Sequence, residues 1–385
     1  MSIVAELRAR ITPPNALVAL RTQHKLDLKT KPRRSLGRLE DLACQYAAIS
    51  GSESPDLPKK ALVVMGADHG VARRGVSAYP QEVTAQMLLN FAAGGAAINV
   101  LARHAGARVL VLDMGVLEPV DAEGIESARL GSGTADFTRE PAMTDAAVLA
   151  ALTTGSQIAR RLRAEGITVV GLGEMGIGNT TSASALTAAL TGGAVEEVTG
   201  LGTGIDEAGR ARKIQVIQEA LALHQLDAND ALRVLTCLGG FEIAGLAGLV
   251  LGAAAERMAV VLDGFIASVA ALVAVRLVPE ARGYLVPSHR SVEAGHRIVL
   301  RELALCRARV LDELIDGGAH ALLSFDDALL HLALGLLGAL PLFDFDMRLG
   351  EGSGAALAMT LLDAAVKVLL EMATFDTAGV TDAGR

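Results

Sequence analysis

A mostly parallel α/β sheet flanked by helices is the fold this sequence predicts, and three observations carry it. Short apolar runs recur along the chain, at residues 61–65 (ALVVM), 109–112 (VLVL), 167–170 (ITVV), 259–262 (AVVL) and 284–287 (YLVP). Each closes on Gly, Asp or Ser and leads towards a helix-forming stretch, the alternation expected of βαβ units with a site along one sheet edge. The core is also built from small residues. Apolar residues make up 51% of the chain, yet aromatics make up 3%, Trp is absent and Gly numbers 41, which suits helices packed closely on a sheet.

At 385 residues the chain can bury a large core, with one large domain and a smaller one as the default organisation. The net charge of −8 argues against a nucleic-acid partner. Cys44, Cys237 and Cys306 are scattered, with no CxxC spacing, so buried thiols in a reducing compartment are expected. The N-terminus carries Glu6, Arg8 and Arg10 and no apolar h-region, and a cytoplasmic location is expected. Two apolar stretches invite a membrane reading. Residues 243–275 are interrupted by Glu256, Arg257 and Asp263; residues 328–343 are too short and contain His331, Gly335, Gly338 and Pro341. Both read better as core helices.

Taken in order, residues 1–57 read as helices, with Leu36, Leu39, Leu42 and Ala43 on one face and Ser35 as a cap. The charges of residues 31–40 (KPRRSLGRLE) read as a solvated helix entry. Asp68 and His69 stand just past the first strand, where open sheets place ligands; a turn cap and a loop histidine are the structural alternatives. Pro80 opens a helix to about Arg103, and residues 145–164 form another. Residues 198–204 (VTGLGTG) repeat the theme of strand and glycine turn, and a helix over 206–224 carries Lys213. Further helices cover 238–255, 301–338 and the stretch from the RLGEGSGA turn to about Thr374.

The chemistry concentrates on residues 169–182, VVGLGEMGIGNTTS. A strand, four glycines and a polar helix start form an anion site, because glycines let backbone N–H groups approach a phosphate. Glu174 breaks the pattern, since a phosphate cradle gains nothing from a carboxylate. A second carboxylate, Glu351, sits between Gly350 and Gly352 at another helix start. Two carboxylates on glycine turns, two phosphate-type turns and Lys213 suggest a small phosphorylated ligand. No metal-ligand spacing, nucleophile elbow or P-loop is present. The literal GxGxxG from Gly171 to Gly176, with Glu196 and Glu197 about 20 residues on, offers a nicotinamide-dependent oxidoreductase as the alternative; a non-catalytic nucleotide-binding protein is a third reading.

Eight motifs in this order resemble a known family: KPxxSLGxLE (31–40), ADHGV…GVSAYPQEVT.QM (67–87), FAAGGAAINVLAR (91–103), GEMGIGNTTSASAL (173–186), TGLGTG (199–204), DGFI (263–266), SHRS.E.GH (288–296) and MRLGEGSGAALAM (347–359). They are similar to nicotinate-nucleotide–dimethylbenzimidazole phosphoribosyltransferases, which make the lower-ligand nucleotide of cobalamin. The resemblance spans nearly the whole chain. It implies transfer of phosphoribose from nicotinate mononucleotide to a benzimidazole, with Glu351 as general base and Glu174 holding ribose or assisting. It implies phosphoribosyl contacts from Gly176, Ile177, Gly178, Asn179, Thr180, Gly202, Gly204, Lys213, Gly264 and Ser291. It places Ser77, Gln86, Met87 and Leu349 at the benzimidazole, with no metal or cofactor. It also implies a Rossmann-like large domain (58–345), a small helical domain (1–57 plus 346–385) and a homodimer.

The sequence departs from the family at three places. Arg33-Arg34 replace Pro-Gly, which predicts a looser turn. Ala294 stands at a position often occupied by proline. The link between His296 and Pro341 is longer by about thirty residues, which puts the acceptor's identity more in question than the reaction type.

Overall fold

The computed structural model describes residues 2–202, 204–304 and 340–381. Cys306, Thr203 and nearly all of the helical stretch expected at 301–338 lie outside the described residues.

Among the described residues, six strands form one sheet: β1 (Lys60–Ala67), β2 (Arg108–Gly115), β3 (Ile125–Ser127), β4 (Val169–Met175), β5 (Ala259–Leu262) and β6 (Leu285–Pro287). Every pairing is parallel and the order is β3-β2-β1-β4-β5-β6. In this doubly wound order the connections diverge between β1 and β4, so the crevice for a ligand opens at the carboxyl ends of these two strands. β3 has no counterpart in the sequence reading. It is a three-residue edge strand, and no helix separates it from β2.

The helices before the sheet are α1 (Ile3–Arg10), α2 (Ala16–Asp27) and α3 (Arg38–Ser50). Gly37, not Ser35, is the N-cap of α3, and Leu36 is exposed. Of the charges of this entry Arg33 and Arg38 are exposed, but Lys31 and Glu40 are not solvated. Lys31 Nζ meets Glu40 Oε1 at 2.8 Å in a buried pair, and Glu40 also accepts from Gln23 Nε2 and the Leu36 N–H. Arg34 takes the left-handed φ of +59° and is held by Asp41 at 3.1 Å.

The expected helix from Pro80 is two helices, α4 (Glu82–Ala92) and α5 (Ala97–Ala105). Gly94 takes φ +79°, and the Gly94-Gly95 pair ends the first helix. Then come α6 (Asp145–Ala164), capped by Thr144, α7 (Asn179–Thr191), the single-turn α8 (Val195–Val198) and α9 (Glu207–His224), capped by Asp206. Val198 ends a helical turn, so no strand precedes TGLGTG. The chain continues through α10 (Ala231–Leu238), α11 (Phe241–Ala255), α12 (Phe265–Leu277), α13 (Ser353–Glu371) and α14 (Phe375–Ala378). The 243–275 stretch considered as a membrane span is the carboxyl part of α11, strand β5 and α12, nearly all of it buried.

α11 lies on one face of the sheet, where Met65 and Met114 meet Gly245, and α6 packs against it. α13 covers the opposite face, with Ala355 and Met359 over Gly171. The α6–α11 crossing is close enough that a β-carbon on Gly155 would stand 1.9 Å from the Gly245 carbonyl oxygen. Gly155→Ala is therefore expected to destabilise the fold by about 1–3 kcal/mol or more through overpacking, read as a lower urea midpoint at unchanged slope.

Candidate active site

The anion turn follows β4, at the point where the strand order diverges. Gly171 and Gly173 are not part of it. They lie within β4 and make room for α13 and its preceding turn: a β-carbon on Gly173 would sit 2.5 Å from the carbonyl oxygen of Glu351. A pyrophosphate cannot reach backbone covered in this way, and the dinucleotide reading of GxGxxG fails on that packing. The turn proper is Gly176–Gly178, with Gly178 at φ +97° capping α7. No side chain caps this helix. Instead the Asn179 amide donates to Glu174 Oε2, and Thr180 Oγ1 accepts from Lys213 Nζ at 2.9 Å. The Ile177 N–H donates to Thr84 Oγ1, whose hydroxyl donates to Asp68 Oδ1 at 2.8 Å. Asp68 is thus a buried anchor between loops, also accepting from the Leu117 N–H. His69 is buried too, its Nε2 2.6 Å from Glu242 Oε1 on α11. Neither lines the cavity.

The second turn precedes α13. Gly350, Glu351 and Gly352 take φ of +82°, +63° and +91°. Three consecutive left-handed residues are tolerable for the glycines and strained at Glu351. Asp263, at the end of β5, compensates. Its Oδ2 accepts from the Gly352 N–H at 2.9 Å and its Oδ1 from the Gly354 N–H at 2.7 Å. Gly350 is favoured as glycine by its φ of +82°, and its β-carbon would stand 2.6 Å from Glu174 Oε1. The two turns thus bring Glu174 and Glu351, 177 positions apart in the chain, to one cavity wall.

The electrostatics there are acidic and dry. Burial, then Asp263, Glu242 and Glu351, push Glu174 up to about 8, against the Asn179 amide. Register explains Glu242: Glu174 pairs with Met65, and that face of the sheet carries α11. Burial and then Asp263 raise Glu351 to about 7. Burial also raises Asp263 to about 7, opposed by backbone donors that favour the anion. Carboxyl groups this closely linked exchange protons as a set, and a carboxyl poised near neutrality is a competent base.

A second group gathers around Gly202. Burial lowers Lys213 to about 8, with Glu293 acting to raise it. Arg348 donates to the Gly202 carbonyl at 2.7 Å, and the Gly202 N–H reaches the Glu293 carboxylate. Nearby, the Ser288 hydroxyl donates to the Asp263 carbonyl. Having spent its one proton, it accepts from His289 Nδ1 at 3.0 Å. Burial lowers the His289 pKa, so this neutral imidazole offers Nε2 as an acceptor. His296 is neutral as well, lowered to about 3 by burial; it accepts from the Ser291 N–H.

The cavity between these groups measures about 670 Å³, the size of a small-molecule site. Of the expected residues it is lined by Glu174, Gly176, Ile177, Gly178, Asn179, Thr180, Gly202, Gly264, Ser291, Glu351, Ser77, Met87 and Leu349. Three do not line it. Lys213 acts from behind Thr180, Gly204 stands off the wall, and Gln86 is exposed on α4. Sequence reasoning named no site role for His289, Glu293, Arg348, Tyr79, Val83, Phe265 or Ile266, all of which line the wall. His289 and Glu293 were present in the SHRS.E.GH motif and Arg348 in MRLGEGSGA. Tyr79 and Val83 lie in GVSAYPQEVT and Phe265 and Ile266 in DGFI, but as apolar residues they carry no chemistry that separates them from core.

The family model described as Phosphoribosyltransferase matches residues 11–326 and 326–380. The chain is 50% identical over 382 residues to the nicotinate-nucleotide–dimethylbenzimidazole phosphoribosyltransferase of Roseiflexus sp. (strain RS-1), covering 99% of each chain. It is 46% identical over 385 residues to the enzyme of that name from Geotalea uraniireducens (strain Rf4), at 99% of each. The crystal structure of the enzyme of that name from Thermus thermophilus superposes with a TM-score of 0.80 at 41% identity, over 96% of this chain and all of the other. With whole-length matches of this identity, the chain belongs to the nicotinate-nucleotide–dimethylbenzimidazole phosphoribosyltransferase family.

Proposed function

We propose that this protein transfers phosphoribose from nicotinate mononucleotide to 5,6-dimethylbenzimidazole or a related base, giving the α-riboside 5′-phosphate and nicotinate. The observation that carries this reading is Glu351, a carboxyl raised to about 7 on a strained turn, facing a cavity also lined by the glycine turns at Gly176–Gly178 and Gly202. The unprotonated ring nitrogen of the benzimidazole attacks C1′. The bond from C1′ to the pyridinium nitrogen breaks, and its electron pair neutralises the departing ring. No acid is needed at that leaving group. The acceptor's N–H proton passes to Glu351. The sugar crosses an oxocarbenium-like state, which the acidic wall formed with Glu174 stabilises. Attack opposite the departing ring inverts C1′, turning a β-nucleotide into an α-product. Gly176–Thr180, Gly202 and Lys213 hold the phosphate. Ser77, Met87 and Leu349 border the aromatic acceptor, and Gln86 joins them only if α4 is covered by another surface. A homodimer, a cytoplasmic location and a helical unit made by 1–57 with 346–385 belong to the same reading.

The test incubates the protein with nicotinate mononucleotide and 5,6-dimethylbenzimidazole and follows both by chromatography. Nicotinate release with stoichiometric α-riboside phosphate is expected. Nucleotide binding without nicotinate release, across benzimidazoles, purines and phenols, would leave a binding protein instead.

A further inference from the structure

We propose that Asp263 is a positioning residue for the reaction, holding the Glu351 turn in its strained conformation and setting how strong a base that carboxylate is. The inference rests on the phosphoribosyl-transfer reading. Asp263 is buried at the end of β5 and is 88 positions from Glu351 in sequence. Yet its two oxygens take the N–H groups of Gly352 and Gly354 at 2.9 and 2.7 Å. These are the first free donors of α13, so a carboxylate also complements the helix dipole there. A neutral amide at this position offers one oxygen to two donors and turns its own N–H towards the other.

The same geometry places a negative charge behind the base. Glu174 on β4, Glu242 on α11 and His289 after β6 also face this wall, while Lys213 and Arg348 gather around Gly202. Removing one acid from the set lets the remaining carboxyls ionise at lower pH. Glu351 works as its anion, so activity rises with pH along an acid limb, and loss of Asp263's charge moves that limb down. A weaker base also transfers the proton more slowly.

The experiment measures pH profiles of kcat and kcat/KM for nicotinate release by the wild type, Asp263→Asn and Asp263→Glu, each checked for folding by circular dichroism. Asp263→Asn is expected to move the acid limb down by about one unit and lower kcat, with KM for nicotinate mononucleotide nearly unchanged. Asp263→Glu keeps the charge but displaces the turn, so kcat falls while the limb stays in place. An unmoved limb in a folded, active Asp263→Asn overturns the proposal. So does the failure of both variants to fold at the assay temperature, which would make Asp263 a folding residue only. No nicotinate from the wild type overturns the transfer reading itself, an outcome distinct from either.

Discussion

Glu351→Gln is expected to lower the rate of nicotinate release by about 10²–10⁴-fold, the loss typical of a positioned general base. The substitution is nearly isosteric. Glutamine meets the same φ of +63°, and Asp263 still holds the following N–H groups, so the turn persists. What disappears is the proposed acceptor for the benzimidazole proton. The groups proposed to hold the phosphate lie elsewhere, at Gly176–Thr180 and around Gly202, so calorimetric affinity for nicotinate mononucleotide should change by less than about threefold, within the small effects typical of sites away from the change. The wild type should lose activity as the pH falls through about 7, where Glu351 becomes protonated. The residual activity of the variant should show no such limb. A variant within tenfold of wild type would remove Glu351 from the base role.

Lys213→Met is the second large effect, and it falls on binding. Lys213 is buried with its ammonium on Thr180 Oγ1, and burial lowers it to about 8. In the proposed reading a phosphate supplies the anionic partner of this ammonium. Removing one partner of a buried, hydrogen-bonded charge pair costs about 2–5 kcal/mol, so KM for nicotinate mononucleotide is expected to rise about 10²-fold or more, with a smaller change in kcat. The sign with pH follows from the lowered value. Below about 8 the lysine is charged and binds; as pH rises through 8 it loses its proton and affinity falls. The methionine variant should show no such fall, and an unchanged KM would take Lys213 out of the phosphate site.

Much of the fold was legible because its signals are local. The helix over 145–164 and the strand over 259–262 fall where periodicity and apolar runs put them, and Thr144 and Asp206 announce their helices by capping chemistry. The failures are tertiary. β3 is three residues long and exists through its pairing with β2. Gly171 and Gly173 read as turn residues by composition, but they serve packing: α13 takes the space their side chains would fill. Lys31 and Glu40 look solvated in sequence and are buried together. In the site, the glycines flanking Glu174 and Glu351 exposed those acids to sequence reading. Asp263 stayed a mere strand terminator, because its partners are backbone N–H groups 89 and 91 residues away. Glu242 was silent for the same reason: nothing inside an apolar helix signals that its carboxylate lies near Glu174.

The two halves of this site reach the cavity at different times. All six strands, the glycine turn after β4 and Lys213 lie before residue 288, while the base arrives at 351 on a turn that closes over Gly173. A chain emerging from the ribosome therefore carries its whole sheet and the glycine turn after β4 more than sixty residues before it acquires Glu351, the proposed base. Synthesis passes through a stage that has Glu174 but lacks Glu351, and the acidic wall closes only when α13 seats on the sheet.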